Sequence, residues 1–161
     1  MSFTKDKDSD NYVTDKNGWE IIQDYIPKDK IIWSPFYCDG KQKEYFKDMG
    51  YDIIHEDKDF FSYTPDYEIL VDNPPFSKKK EVFRRLKELD KPFILIMPSS
   101  KINTQYFREN YKNTDSQLQI IIPRKRIQFI KNGNELQNKC NFDCFYYCYK
   151  MNLPRDIIWL E

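Results

Sequence analysis

Apolar residues along this chain recur in two periods that alternate. Trp19, Ile21, Ile22, Tyr25 and Ile26 fall at helical spacing and stop before Pro27. Ile31-Ile32-Trp33 is a short apolar run between Lys30 and Ser34-Pro35, which predicts a strand. Lys41–Met49 carries Tyr45, Phe46 and Met49 on one face with Gly50 behind it, a helix with a glycine stop. Tyr51–His55 and Tyr67–Val71 read as strands. Ser77–Leu89 is the clearest helix, with Ser77 placed to cap it and Val82, Phe83, Leu86 and Leu89 forming one stripe. Pro92–Met97 reads as a buried strand stopped by Pro98. A helical piece over Thr104–Asn110 precedes strands at Leu118–Ile122 and Arg126–Ile130. Phe142–Tyr149 is apolar on both faces, as a central strand would be. Residues 1–16 are polar and read as a loop-like segment.

Strands alternating with helices predict an α/β fold with a mostly parallel sheet in one layer between helices. No repeat or low-complexity linker divides the 161 residues, so residues 17–161 form one domain behind the polar segment. Sheets of this kind bind ligands at the carboxyl ends of their strands. Three strand candidates end in polar and aromatic segments there: Ser34–Gly40, His55–Phe61 and Asp72–Phe76.

Charge narrows the partners. The 26 basic and 26 acidic residues cancel, so any nucleic-acid contact must use a local patch. Lys101 with Arg124-Lys125-Arg126 is the candidate, whereas Lys78-Lys79-Lys80 with Arg84 and Arg85 reads as an exposed helix face. No apolar run approaches a membrane span and the first ten residues are charged, which predicts no membrane partner and an intracellular protein. Cys140, Cys144 and Cys148 recur every four residues without a nearby fourth ligand, so they read as buried small hydrophobes and no metal site is expected. Alanine is absent and 20 lysines face 6 arginines, a bias that points to an AT-rich genome, viral, phage or microbial.

One tetrapeptide carries chemistry. Asn73-Pro74-Pro75-Phe76 combines an amide, two prolines and an aromatic ring, a string expected by chance in about one chain in a hundred. The prolines fix two φ angles and remove two donors, leaving a stiff, acceptor-rich backbone. An amide before them and a ring after them suit the grip of a planar amino group.

Together these segments resemble the class I S-adenosylmethionine-dependent methyltransferases, specifically the small phage- and virus-type enzymes that methylate N6 of adenine in DNA. The resemblance runs from about Tyr12 to Tyr149. It implies a Rossmann-like, mostly parallel seven-stranded sheet with helices on both faces and no separate target-recognition domain. It further implies that Asn73, Pro74, Pro75 and Phe76 are catalytic and that S-adenosyl-L-methionine is the cofactor. Ser34, Pro35, Phe36, Tyr37 and Gly40 match the loop that wraps the cofactor's methionine part. Ser34 stands where the family has an acid, and Cys38 where it has the first glycine of Gly-x-Gly. Glu56 or Asp57 matches the acid that holds the ribose hydroxyls. Asp59 and Phe60 match the pair that meets the cofactor's adenine, and Thr14 sits where a threonine touches its carboxylate.

The implied reaction needs no strong base, in agreement with a single histidine, His55, read as structural. The Asn73 side-chain oxygen and the Pro74 carbonyl would draw the amine toward tetrahedral geometry, and Phe76 would stack on a base flipped from the duplex. Lys101, Arg124, Lys125 and Arg126 would meet phosphates. Specificity would come from Pro98–Tyr106 and the Lys131–Asn141 hairpin, or from a homodimer or partner subunit. RNA adenine, protein glutamine, and a non-catalytic binding subunit with a decayed loop at Ser34 and Cys38 remain the alternatives.

Overall fold

A computed structural model describes residues 12–113, 117–131, 136–137 and 143–161. Four helices, α1 (Lys16–Glu20), α2 (Lys41–Asp48), α3 (Lys79–Leu89) and α4 (Gln105–Tyr111), are among the described elements. The main sheet has seven strands: β2 (Ile31–Trp33), β3 (Asp52–Ile54), β4 (Ile69–Asp72), β5 (Phe93–Pro98), β6 (Leu118–Ile122), β9 (Cys144–Tyr149) and β10 (Ile157–Trp159). Their spatial order is β10-β6-β9-β5-β4-β2-β3. All run parallel except β9, which is antiparallel to both of its neighbours, β5 and β6. The expectation of a Rossmann-like, mostly parallel seven-stranded sheet with helices on both faces therefore holds, with one reversed strand inside it.

Both faces of the sheet are buried, and the side chains sort by the two-residue period of a strand. Ile94 and Ile96 of β5 and Cys144, Tyr146 and Cys148 of β9 enter one core with Trp19, Ile22 and Phe46, from the segments around α1 and α2. Phe93, Leu95 and Met97, with Tyr147 and Tyr149, enter the other core with Val82, Phe83 and Leu86 of α3 and Phe107 and Tyr111 of α4. Cys144 and Cys148 are thus the buried small hydrophobes that the spacing suggested, and burial pushes the Cys148 thiol far up. Cys140 lies outside the described residues.

Several boundaries differ from the sequence reading. The helix expected over Trp19–Ile26 is broken into α1 and a 3-10 turn over Gln23–Tyr25, which leaves Ile21 41% exposed. A 3-10 turn over Phe76–Lys78 precedes α3, so Lys78 rather than Ser77 takes the cap position, and it makes no side-chain cap bond. Gly50 does stop α2, at φ +91°, where a Cβ would be strained. Residues 12–16, expected to be loop-like, form β1 (Tyr12–Thr14) and the start of α1. β1 pairs antiparallel with β7 (Phe129–Lys131), which pairs in turn with β8 (Leu136–Gln137) in a separate three-stranded sheet. The Arg126–Ile130 strand is therefore real only from Phe129 and does not join the main sheet. Most of the Lys131–Asn141 hairpin and residues 1–11 lie outside the described residues. No described helix is long and apolar enough to cross a membrane.

Candidate active site

Strand β4 is apolar until its last residue, Asp72, which is only 2% exposed. A buried carboxylate is costly unless it is well bonded, and Asp72 is. One oxygen accepts from the backbone N–H of Phe36 at 2.7 Å. The other accepts from the N–H of Asn73 at 2.7 Å and from the Gln42 side-chain amide at 3.2 Å. Gln42, near the start of α2, also donates to the Ser34 hydroxyl and accepts from the Trp19 indole N–H at 3.2 Å. His55 follows β3, and its Nδ1 lies 2.7 Å from the Ser34 carbonyl, so that nitrogen carries the proton and donates. Its ring stacks on Tyr37 at 4.9 Å between centroids. One polar cluster thus ties together the ends of β2, β3 and β4.

Burial pushes the Asp72 carboxyl up to about 6, against the pull of His55, the Phe36 and Asn73 amides and the Ser34 hydroxyl. The carboxylate lies beside Ser34, delivered by the neighbouring strand. Ser34 itself is fully buried. Sequence reasoning placed Asp72 only at the start of the Asp72–Phe76 segment, with no role of its own, and missed Gln42. The one signal was an acid ending an otherwise apolar strand, directly before Asn73.

Two residues of the loop 34–40 adopt backbone that suits glycine. Cys38 adopts φ +53° and Gly40 φ +79°, both left-handed. A Cβ on Gly40 would lie 2.6 Å from the Tyr37 hydroxyl. Cys38 thus keeps the glycine conformation without being glycine, at a cost of about 1–2 kcal/mol.

Other sequence candidates fall as follows. Asn73 follows Asp72 directly, and its side-chain Oδ1 is buried without a hydrogen-bond partner among the described residues. Pro74 is buried and Pro75 half-buried. The side chain of Phe76 lies outside the described residues. Thr14 is buried with its hydroxyl likewise unpartnered. Glu56 is half-buried and accepts from the Tyr63 hydroxyl at 2.9 Å; that bond, with Lys58, holds its carboxyl below the usual range. Asp57 is exposed. Asp59 accepts from the Phe61 N–H and the Ser62 hydroxyl, closing its own turn. Phe60 is fully buried against Trp33 and Phe36, with the Arg85 guanidinium near its ring. Its ring packs beneath this turn, inside the core, and offers no exposed face.

Lys101 and Arg124–Arg126 follow β5 and β6, at the same carboxyl edge as Asn73. Arg124 and Lys125 are exposed, and Arg126 pairs with Asp143 at 2.8 Å. The tripeptide borders two clefts. One, of about 460 Å³, is shared with Asn17, Gly18 and Gln128, and the other, of about 260 Å³, with Ser99 and Phe145. The Tyr147 hydroxyl donates to the Pro98 carbonyl at 2.7 Å and anchors the start of the Pro98–Tyr106 segment. The basic face expected on α3 is partly consumed: Lys79 is buried, and Arg85 donates to the Phe60 carbonyl and the Thr64 hydroxyl.

No family model matches the chain, and no curated protein does. Among solved structures, the crystal structure of TrmN from Thermus thermophilus is similar at 9% identity and a TM-score of 0.36. The match covers 81% of this chain and 47% of that one, so this chain spans about half its length. At that level the likeness assigns no residue, ligand or activity to this chain.

Relief of the left-handed strain gives a direct test: Cys38→Gly should gain about 1 kcal/mol in urea unfolding, and Cys38→Val should lose at least as much. Asp72 gives a second. Its folded pKa lies above the unfolded value, so the folded state holds the extra proton and stability falls as pH rises from about 4 to 6. Across that window wild type should lose up to about 3 kcal/mol relative to Asp72→Asn, read from urea midpoints at several pH values.

Proposed function

We propose that this chain is an S-adenosylmethionine-dependent methyltransferase acting on N6 of adenine in DNA. The observation that carries the reading is the Asn73 side-chain oxygen, a buried acceptor without a partner at the carboxyl end of β4, in a stiff Asn-Pro-Pro turn. A buried acceptor left unsatisfied costs about 1–3 kcal/mol, and an amino group supplied by a substrate would remove that cost. The Asn73 side-chain oxygen and the Pro74 carbonyl would accept hydrogen bonds from the two amine hydrogens and localise the nitrogen lone pair, and after methylation the nitrogen would release one proton to solvent. Phe76 would lie against the base. The charged sulfonium donor brings an already activated methyl group, so positioning supplies most of the rate.

For the cofactor, the polar positions fit. Thr14 has an unpartnered buried hydroxyl for a carboxylate, loop 34–40 has left-handed backbone for close approach, and Glu56 and Asp57, which follow β3, would take the ribose hydroxyls. Asp59 would accept from the cofactor's adenine amine beside the turn it closes, and Phe60 would support that turn from the core. Lys101, Arg124, Lys125 and Arg126 would meet phosphates. β4, β5, β9 and β6 stand side by side, so at about 4.8 Å per strand the basic loop lies about 14 Å from Asn73. That span suits a strand of a few nucleotides running along the carboxyl edge, and the clefts flanking Arg124–Arg126 would receive it.

The test is calorimetric titration with S-adenosylmethionine followed by transfer of labelled methyl to DNA, RNA and protein pools. Wild type should bind the cofactor and label DNA. Asn73→Ala should bind within about threefold of wild type yet transfer at least about a hundredfold more slowly, as expected for an interaction made at the transition state. Equal labelling by Asn73→Ala would remove Asn73 from the mechanism, and no cofactor binding would favour a non-catalytic subunit.

A further inference from the structure

The Asp72 carboxylate serves two loops at once. It follows an apolar strand, its one oxygen holds the Phe36 N–H of the loop after β2, and its other holds the Asn73 N–H of the turn after β4, both at 2.7 Å. Gln42 of α2 and the Ser34 hydroxyl close the remaining sides, and His55 contributes from the end of β3 through the Ser34 carbonyl. Charge-assisted bonds to backbone N–H groups are short and strong, so neither loop can shift without disturbing the other.

We propose that Asp72 is a positioning residue that replaces, from the adjacent strand, the acid absent at position 34, and that it couples the geometry of the 34–40 loop to the placement of Asn73. The role of those two loops and the acid expected at position 34 rest on the methyltransferase reading above; the coupling itself does not. Loading of the 34–40 loop would tighten Phe36 against the carboxylate and fix the Asn73 backbone in the orientation that aims its side-chain oxygen. Because burial raises the carboxyl to about 6, the coupling is complete near neutrality and loosens as the group takes up a proton.

Two measurements on the full chain test this. The first follows the backbone amide resonances of Phe36 and Asn73 by NMR as pH is lowered, with no substitution made. Both should move with one shared midpoint above the ordinary carboxylate range. Different midpoints for the two amides, or no movement of either, would overturn the coupling. The second exchanges the acid between strands. Asp72→Ser should weaken S-adenosylmethionine binding by about tenfold or more, the worth of one bond to a charged group, and Ser34→Asp added to it should restore affinity to within about threefold of wild type. A double variant as weak as Asp72→Ser would overturn the replacement. If wild type itself binds no S-adenosylmethionine, the methyltransferase reading falls, and the amide titration alone decides the coupling.

Discussion

The arrangement of this site depends on one buried carboxylate. Asp72 sits where β4 leaves the sheet, with almost no access to water, and it survives there because four donors converge on it. Take that carboxylate away and the Phe36 and Asn73 amides lose a common acceptor while Gln42 loses one of its bonds. The consequence would spread over the ends of three strands. A surface ion pair of equal geometry would contribute little, because water competes for both partners. Burial is what gives Asp72 its leverage, and burial is also what lifts its pKa.

The sheet supplies the burial. Helices cover both faces, so β4 and β5 are inaccessible along their lengths, and the Asp72 cluster gathers where strands end. β9 runs against its neighbours and still alternates side chains between two cores, which keeps the middle of the sheet dry. Its tyrosines also reach outward. The Tyr147 hydroxyl bonds the Pro98 carbonyl, and the Tyr149 hydroxyl bonds Asp90 at 2.7 Å, so β9 anchors the segments at both ends of β5. A rigid frame of this kind is what a positioning mechanism requires.

The central strands were legible because their apolar runs are continuous and bounded by prolines or charges, as at Pro92–Met97 and Tyr67–Val71. The stripe Val82, Phe83, Leu86 was legible because helical period and burial coincide. β10 was passed over although Ile157-Ile158-Trp159 is as apolar as Ile31-Ile32-Trp33; it forms the sheet edge beside β6, where Ile157 and Trp159 stay exposed and only Ile158 is buried. β1 was hidden by its polar surroundings: it exists through pairing with β7, more than a hundred residues away, which no local pattern records. The Asp72 cluster escaped for the same reason. Ser34, His55 and Asp72 were expected at neighbouring strand ends, but Trp19 and Gln42 join them through contacts only the fold creates. The resemblance expected an acid at position 34; the fold instead brings the Asp72 carboxylate from β4 beside Ser34.

The central claim is that the turn at Asn73 presents an adenine amino group for methylation. The most direct measurement is mass spectrometry of nucleosides from DNA incubated with the full chain and isotopically labelled S-adenosylmethionine. The account predicts the label on deoxyadenosine, attached at N6, and at no other nucleoside. Label on another base, label confined to RNA or protein, or no label in DNA that the chain demonstrably binds would contradict it.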